Sequence, residues 1–308
     1  MATYLTVDGG TTNTRLFLVI DGNIRDMIKL EIGARDEKVQ LELALKNAIS
    51  EMLVANELKE QDVTAVIASG MITSERGLML LKHLTAPIGI DELHQGIYTT
   101  DLPNITSIPF AFIPGVKTNG ESIGTVDMIR GEETELMGLL EWIGEDTLVV
   151  LPGSHSKLIE MDSQRRITNF HTAMTGELLS AVINSTILKD SVNLKDCKLI
   201  EDYLYQGYEN CLKNGLNQTL FEVRILRNLF SQTASECFSY LLGGVLCGEI
   251  GQILNSCMKK VILGGQKQLR EATNVLLKKY SDKQIIILSD ETVDCSTAHG
   301  AIMVYENR

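Results

Sequence analysis

Residues 4–23, YLTVDGGTTNTRLFLVIDGN, carry an apolar run that breaks at a polar cluster and then resumes. Leu5 and Val7 alternate with polar positions, Asp8-Gly9-Gly10-Thr11-Thr12-Asn13-Thr14 interrupts them, and Leu16 to Ile20 takes the pattern up again. The pattern predicts two strands joined by a tight turn, a β-hairpin. Gly9 and Gly10 let the backbone approach a ligand, and the hydroxyls and amides of Thr11, Thr12 and Asn13 can hydrogen-bond phosphoryl oxygens. Asp8 stands where the first strand ends. A carboxylate beside a phosphate is repelled unless a cation lies between them. The economical reading therefore gives Asp8 a hydrated Mg²⁺ and gives the turn the terminal phosphates of a nucleotide. An ordinary Asp-Gly hairpin turn produces the same pattern.

A second copy follows at residues 147–161, TLVVLPGSHSKLIEM. Leu148 to Leu151 form an apolar strand, Gly153-Ser154-His155-Ser156 a turn of glycine and hydroxyls, and Lys157 a cation before the next strand. In a chain of 308 residues the two copies start nearly half a length apart, so the simplest inference is two similar α/β domains, 1–145 and 146–308. Two such hairpins facing each other across a cleft would hold a phosphate tail from both sides. That is the architecture of the actin, Hsp70 and sugar kinase superfamily, and the chain looks like a member. Two actin-like (ribonuclease H-like) domains are expected, with nucleotide and substrate in the cleft between them.

Composition narrows the classes. With 44% apolar and 22% charged residues the chain can fill two medium cores. A net charge of -12 offers no basic stripe to displace counterions from a nucleic acid, so an anionic substrate must be held by a few local cations or backbone amides. The six cysteines are scattered without a CxxC pair, which reads as reduced core thiols rather than a zinc site. No run is read as approaching membrane-spanning length, and the N-terminus is read as entering a strand at once. A cytoplasmic protein without nucleic acid or membrane partners is expected.

Farther along, strands are read at 27–32, 63–68 and 110–113 and a helix at 38–56. The 63–68 strand opens into Ser69-Gly70-Met71, a loop beyond a strand's carboxyl end, which suits substrate contact or a plain connection. Residues 115–122 match Walker A spacing, but Glu121 takes the place of the phosphate-reaching lysine, so the stretch is read as a mobile connection. Arg130-Gly131-Glu132-Glu133 starts a helix with an acidic first turn, whose apolar side extends to Ile143. A carboxylate there could take a proton from an attacking hydroxyl, Glu133 first, then Glu132 and Asp127. Arg130 could hold a substrate carboxylate or the transferring phosphoryl group.

In the second half, a strand at 167–171 leads into a helix that Thr175 and Gly176 could cap, presenting amides to the cleft. Residues 191–217 read as inserted helices, and Arg224 as a cleft cation or half of a surface pair. Residues 235–254 form a long apolar helix whose glycines permit close packing. After a strand at 260–263, Gly264-Gly265 lets backbone lie against a flat purine, or makes a simple strand-to-helix turn. A last strand is read at 285–288, and Ser296 begins the last helix.

With these residues in view, the chain resembles the 2-dehydro-3-deoxygalactonokinase family of actin-like sugar kinases. The motifs that carry the resemblance, in order, are Asp8-Gly9-Gly10-Thr11-Thr12-Asn13-Thr14-Arg15, Arg130-Gly131-Glu132-Glu133-Thr134, Pro152-Gly153-Ser154-His155-Ser156-Lys157, Met174-Thr175-Gly176-Glu177-Leu178 and Phe221-Glu222-Val223-Arg224. The resemblance implies an ATP- and Mg²⁺-dependent kinase acting on the 6-hydroxyl of 2-dehydro-3-deoxy-D-galactonate, a small-molecule sugar acid, with a homodimer allowed. Within its motifs it points to nucleotide contacts at Gly9 to Asn13, Arg15 and Gly153 to Lys157, and to substrate contacts at Arg130, Thr175, Gly176, Glu177 and Arg224. Gly264 and Gly265 for the nucleotide, and Ser69, Gly70 and Met71 for the substrate, are expected from their places after strands. Gly9 departs from the aromatic residue usual in the family, and Leu158 from a common Trp. Another sugar acid or an amino sugar remains an alternative substrate, and a non-catalytic ATP-binding regulator an alternative class.

Overall fold

The computed structural model describes residues 2–144, 146–192 and 197–308. Glu145, at the expected domain boundary, and residues 193–196, within the stretch read as inserted helices, lie outside the described residues. The chain divides into two compact units, Met1–Glu145 with Met161–Phe170 and Asp290–Arg308, and Asp146–Glu160 with His171–Ser289.

The first unit contains β1 (Thr3–Gly9), β2 (Thr14–Ile20), β3 (Asn23–Leu30), α1 (Lys38–Ala55), β4 (Ala65–Gly70), β5 (Leu84–Thr85) and α2 (Ile90–Gln95). It continues with β6 (Tyr98–Thr100), β7 (Phe110–Phe112), β8 (Val116–Lys117), β9 (Met128–Ile129) and α3 (Glu132–Met137). Its main sheet has the order β3-β2-β1-β4-β7-β6. β1 and β2 form the expected hairpin, in register from Thr3↔Ile20 to Gly9↔Thr14. β4 lies parallel to β1 on the other side and places Ser69 opposite Asp8 and Gly70 opposite Gly9. Leu5, Val7, Leu16 and Leu18 are sealed against Leu41, Leu45 and Ile49 of α1, so the hydrophobic face of the helix fixes which face of the hairpin turns inward.

Three local expectations shift. β3 starts at Asn23 rather than 27, because Asp21 and Gly22, with φ of 50° and 79°, make a tight two-residue reversal directly after β2. α3 lasts six residues and gives way to a 3₁₀ turn at Leu140–Trp142 instead of continuing to Ile143. The stretch read as a mobile connection contains β8, which pairs with β5 and β9 in a small second sheet.

The second unit contains β10 (Thr147–Leu151), β11 (Ser156–Met161), β12 (Ile167–Ala173), α4 (Thr175–Ser185), α5 (Glu201–Asn214) and α6 (Leu216–Leu229). α7 (Ala234–Asn255), β13 (Lys260–Leu263), α8 (Lys267–Tyr280) and β14 (Gln284–Ile287) complete it. Its sheet order, β12-β11-β10-β13-β14, repeats the first sheet's β3-β2-β1-β4-β7, with β10, β13 and β14 parallel. α7 is long and apolar enough to cross a membrane, contrary to the sequence reading, but it lies in the core, with Phe238, Leu241, Leu242 and Leu246 sealed. The last helix, α9 (Asp290–Glu306), begins six residues before Ser296 and groups with the first unit. It packs on α3 so closely that a Cβ on Gly300 would sit 1.8 Å from the Thr134 carbonyl oxygen.

α7 and α5 approach the same way, since a Cβ on Gly243 would lie 2.0 Å from the Leu204 carbonyl oxygen, whereas Gly248 of the same helix faces open space. Gly243→Ala is expected to destabilise the protein by about 1–3 kcal/mol. Gly248→Ala should be neutral or stabilising by up to ~1 kcal/mol. Denaturant unfolding of the two variants side by side checks the contrast.

Candidate active site

The first turn is held from behind. The Gly10 and Thr11 carbonyls accept hydrogen bonds from the amides of Ala34 and Arg35, both at 3.0 Å. Gly33 makes this grip feasible, because a Cβ there would lie 2.6 Å from the Gly10 and Thr11 oxygens. With the carbonyls taken, the Thr11, Thr12 and Asn13 amides have no partner among the described residues, and Thr11 and Asn13 are exposed. Three consecutive amides without partners on an exposed turn could donate to an anion. The Gly33 segment was missed by sequence reasoning, although a Gly three residues after the end of β3 was its available signal.

Asp8 closes the floor of this turn. Its Oδ2 accepts from Arg15 Nε at 3.0 Å and from Arg15 Nη2 at 2.6 Å, a pairing that follows from their opposed register positions. Oδ1 has no partner among the described residues. Burial works against the Arg15 charge, but Asp8, with Glu135 and Asp294 behind it, outweighs burial and raises the guanidinium above its ordinary value. Glu135, which the sequence reading passed over, completes the group. Burial, then Glu132 and Asp8, push its carboxyl up to about 8, while Arg15 and the Ser296 hydroxyl oppose the shift.

Where β1 and β4 end, the backbones are nearly in contact. A Cβ on Gly70 would sit 2.5 Å from the Gly9 carbonyl oxygen, and one on Gly131 would sit 3.2 Å from the Gly70 Cα. Ser69 is buried with its Oγ unbonded, and Met71 starts a 3₁₀ turn. Arg130 anchors this loop, with Nη1 donating to the Thr73 carbonyl and hydroxyl oxygens, each at 2.6 Å, and Nη2 to the Leu81 carbonyl at 3.1 Å. Nη2 also reaches His83 Nε2 at 3.1 Å. Burial and then Arg130 lower the His83 imidazole below its ordinary value. Arg130 has no carboxylate ion partner among the described residues.

The three carboxylates considered as bases are not equivalent. Glu133 has no exposed surface, and both of its oxygens accept the Gly131 N–H, at 2.8 and 2.7 Å, capping its own helix. Burial and then Glu132 push it up to about 8. Glu132 accepts from the Arg130 N–H at 3.0 Å and Asp127 from the Met128 N–H at 2.7 Å, and both stay partly exposed.

The second turn repeats the device of the first. The Gly153 and Ser154 carbonyls accept from the Gly176 and Glu177 amides, both at 3.1 Å, and a Cβ on Gly176 would sit 2.5 Å from the Gly153 oxygen. The amides of Ser154 and His155 are left without a partner among the described residues. His155 Nε2 pairs with Glu177 at 2.7 Å, and Lys157 Nζ donates to the His155 carbonyl at 3.2 Å. The amides expected to point from Gly176 toward ligand are thus spent on the turn itself, and the Thr175 side chain is buried. Gly264 and Gly265 follow β13 as expected, but what crowds Gly265 is protein. A Cβ there, at φ +67°, would lie 2.3 Å from the Pro152 carbonyl oxygen. Arg224 donates to the Ile187 carbonyl at 3.2 Å.

Among the described residues no cluster of three His, Cys, Asp or Glu side chains is placed to hold a metal alone. A Mg²⁺ carried in by a nucleotide needs only one or two carboxylates beside phosphate and water, and Asp8 with an uncommitted Oδ1 fits that role.

A family model described as 2-keto-3-deoxy-galactonokinase matches residues 8–296. The 2-dehydro-3-deoxygalactonokinase of Escherichia coli (strain K12) is 29% identical over 250 residues, spanning 79% of this chain and 78% of that one. Among solved structures, a Sinorhizobium meliloti protein described as a candidate 2-dehydro-3-deoxygalactonokinase superposes with a TM-score of 0.81 at 21% identity, covering 99% and 98% of the two chains. The Clostridium difficile activator of 2-hydroxyisocaproyl-CoA dehydratase, with bound ADPNP, gives a TM-score of 0.53 at 13% identity over 99% and 95%. These likenesses place the fold among actin-like ATPases and sugar kinases.

Glu133 also sets a pH dependence. Its folded value, about 8, exceeds that of an unfolded glutamate, so the folded state holds a proton that unfolding releases. Its contribution is fully present below the unfolded value and is lost as the pH rises toward 8. Glu133→Gln should flatten the decline in stability between about pH 5 and 8 by on the order of 1–3 kcal/mol. Urea titrations of both proteins across that range measure it.

Proposed function

We propose that this chain, which belongs to the 2-keto-3-deoxy-galactonokinase family, transfers the γ-phosphoryl group of ATP to the 6-hydroxyl of 2-dehydro-3-deoxy-D-galactonate. The observation that carries the reading is the family match from residue 8 to residue 296, which begins at Asp8 and spans both turns. Two turns whose carbonyls are tied back and whose amides are free supply what a nucleotide's phosphoryl oxygens need.

In this reading Thr11, Thr12 and Asn13 in the first unit, and Ser154 and His155 in the second, donate backbone N–H groups to phosphoryl oxygens. Lys157 and Arg15 add positive charge nearby. Asp8 would hold Mg²⁺, which neutralises charge on the phosphoryl groups when bound. Arg15 then fixes the direction of the Asp8 carboxylate. The first unit takes the sugar acid and one phosphate turn, and the second takes the other turn and the adenosine beside Gly264 and Gly265. Ser69, Gly70 and Met71 contact the sugar acid, with Arg130 setting the shape of their loop and adding an uncompensated charge that favours a carboxylate. Thr175 and Arg224 complete the substrate contacts, whereas Gly176 and Glu177 act through the nucleotide turn they grip. The proton of the attacking hydroxyl goes to a carboxylate at the start of α3. The exposure of Glu132 and Asp127 favours either over Glu133, whose oxygens cap the helix. A cytoplasmic location suits such an enzyme.

Asp8→Ala is expected to keep its fold by circular dichroism and to lower kcat by at least about 10²-fold in a coupled ADP-release assay. Wild-type turnover in that variant would remove Asp8 from the metal site. A panel of sugar acids, neutral sugars and amino sugars supplied with ATP tests the substrate. Preferential phosphorylation of a neutral or amino sugar would displace the keto acid, and nucleotide binding without transfer to any of them would displace the kinase.

A further inference from the structure

α7 carries one acidic side chain into the core of the second unit. Glu249 is 4% exposed, and neither carboxylate oxygen completes a hydrogen bond of good geometry. An orphaned carboxyl at this depth is costly unless it serves a neighbour. Burial pushes it up to about 7, and the one group opposing the shift is the Ser156 hydroxyl. Ser156 is itself sealed, and its Oγ accepts the Gly153 N–H at 3.4 Å across the second turn. A line of polar atoms therefore runs from the α7 carboxyl through the serine hydroxyl to the first amide of the turn. On the far side, the amides of Gly176 and Glu177 hold the turn's carbonyls. A Cβ on Gly153 would meet nothing within 4 Å, so side-chain packing at that position does not fix the turn and its hydrogen bonds must.

We infer that Glu249 is a positioning residue for nucleotide binding, orienting the Ser156 hydroxyl so that Gly153 is held and the Ser154 and His155 amides point at phosphoryl oxygens. The hydroxyl hydrogen goes to Glu249 and its lone pair receives the Gly153 N–H, so one serine serves both neighbours. Without the carboxyl, the hydroxyl can rotate and the turn loses the tie on its first amide. The effect falls on the nucleotide, because in the proposed reading the sugar acid is contacted through Ser69, Gly70, Met71 and Arg130 of the first unit and through Thr175 and Arg224, none of which holds this turn. This inference rests on that reading, namely that the second turn serves a nucleotide.

The test compares the full-length wild type with Glu249→Leu, Glu249→Gln and Ser156→Ala. Steady-state kinetics would vary ATP and sugar acid separately, and calorimetry would measure ADP binding. Glu249→Leu is expected to raise the KM for ATP and the Kd for ADP about tenfold, with the KM for sugar acid within about twofold of wild type. Glu249→Gln, whose amide oxygen can still accept the serine hydroxyl, should return both values to within about threefold. Should the leucine variant fail to fold, Ser156→Ala decides, with the same selective rise expected. A leucine variant that melts lower but binds ADP as the wild type does overturns the inference, as does a serine variant with unchanged ATP kinetics. If the wild type itself neither binds ADP nor transfers phosphate, the underlying kinase reading fails, a result distinct from either.

Discussion

Both turns are shaped by one constraint: two successive carbonyls must be satisfied by the protein so that the neighbouring amides are not. In the first unit the donors are Ala34 and Arg35, and in the second Gly176 and Glu177. Each grip needs a glycine at the point of approach, Gly33 and Gly176, where a Cβ would fall 2.6 and 2.5 Å from a turn oxygen. A backbone group left unpaired away from water is expensive, and an exposed turn could satisfy its groups in many conformations. Tying down the carbonyls removes most of that freedom before a ligand arrives, and this preorganisation lowers the ordering cost of binding an anion.

Charge is arranged to complement this backbone geometry. The chain carries a net charge of -12, so attraction for a nucleotide cannot come from the overall field. It must come from dipoles and a few cations at close range. Arg15 neutralises Asp8, and the carboxyl of Glu135 beside them is pushed toward its protonated form, so the group adds less negative charge than its residue types suggest. Lys157 is nearly buried and points its ammonium at the His155 carbonyl, which puts its charge at the turn.

Most of the fold was legible because it is written in short-range pattern. The hairpins at 4–23 and 147–161 and the apolar helix before residue 255 follow from alternation, turn residues and an internal repeat. Misplaced boundaries had local causes. Asp21-Gly22 is a strong reversal signal that an apolar count overlooks, and α3 ends at Gly138 because α9 leaves no room there for a side chain. That second cause is a contact between residues 138 and 296, which no window along the sequence contains. The candidate site was legible in its residue types and less so in their partners. Arg130, Gly176 and Arg224 are where the motifs put them, yet their donors are engaged with the protein's own carbonyls, and pairing of that kind is decided by tertiary contact. Glu135, Gly33 and Glu249 escaped because nothing about a lone acid or glycine in sequence announces what faces it.

The position after Asp8 shows how a local departure reaches the substrate. The family pattern places an aromatic residue there, and this chain has Gly9. A Cβ on Gly9 would lie 2.7 Å from the Cβ of Ile72, so even the first atom of a larger side chain has no room. Ile72 is buried in the 3₁₀ turn after β4, next to Met71 and within the loop that Arg130 holds through Thr73. That space is taken from the other side, by the loop proposed to contact the sugar acid. In the proposed reading Asp8 and the turns serve the phosphoryl groups and this loop serves the sugar, so a residue larger than glycine at position 9 would press first on the loop, and with it on the shape offered to the substrate.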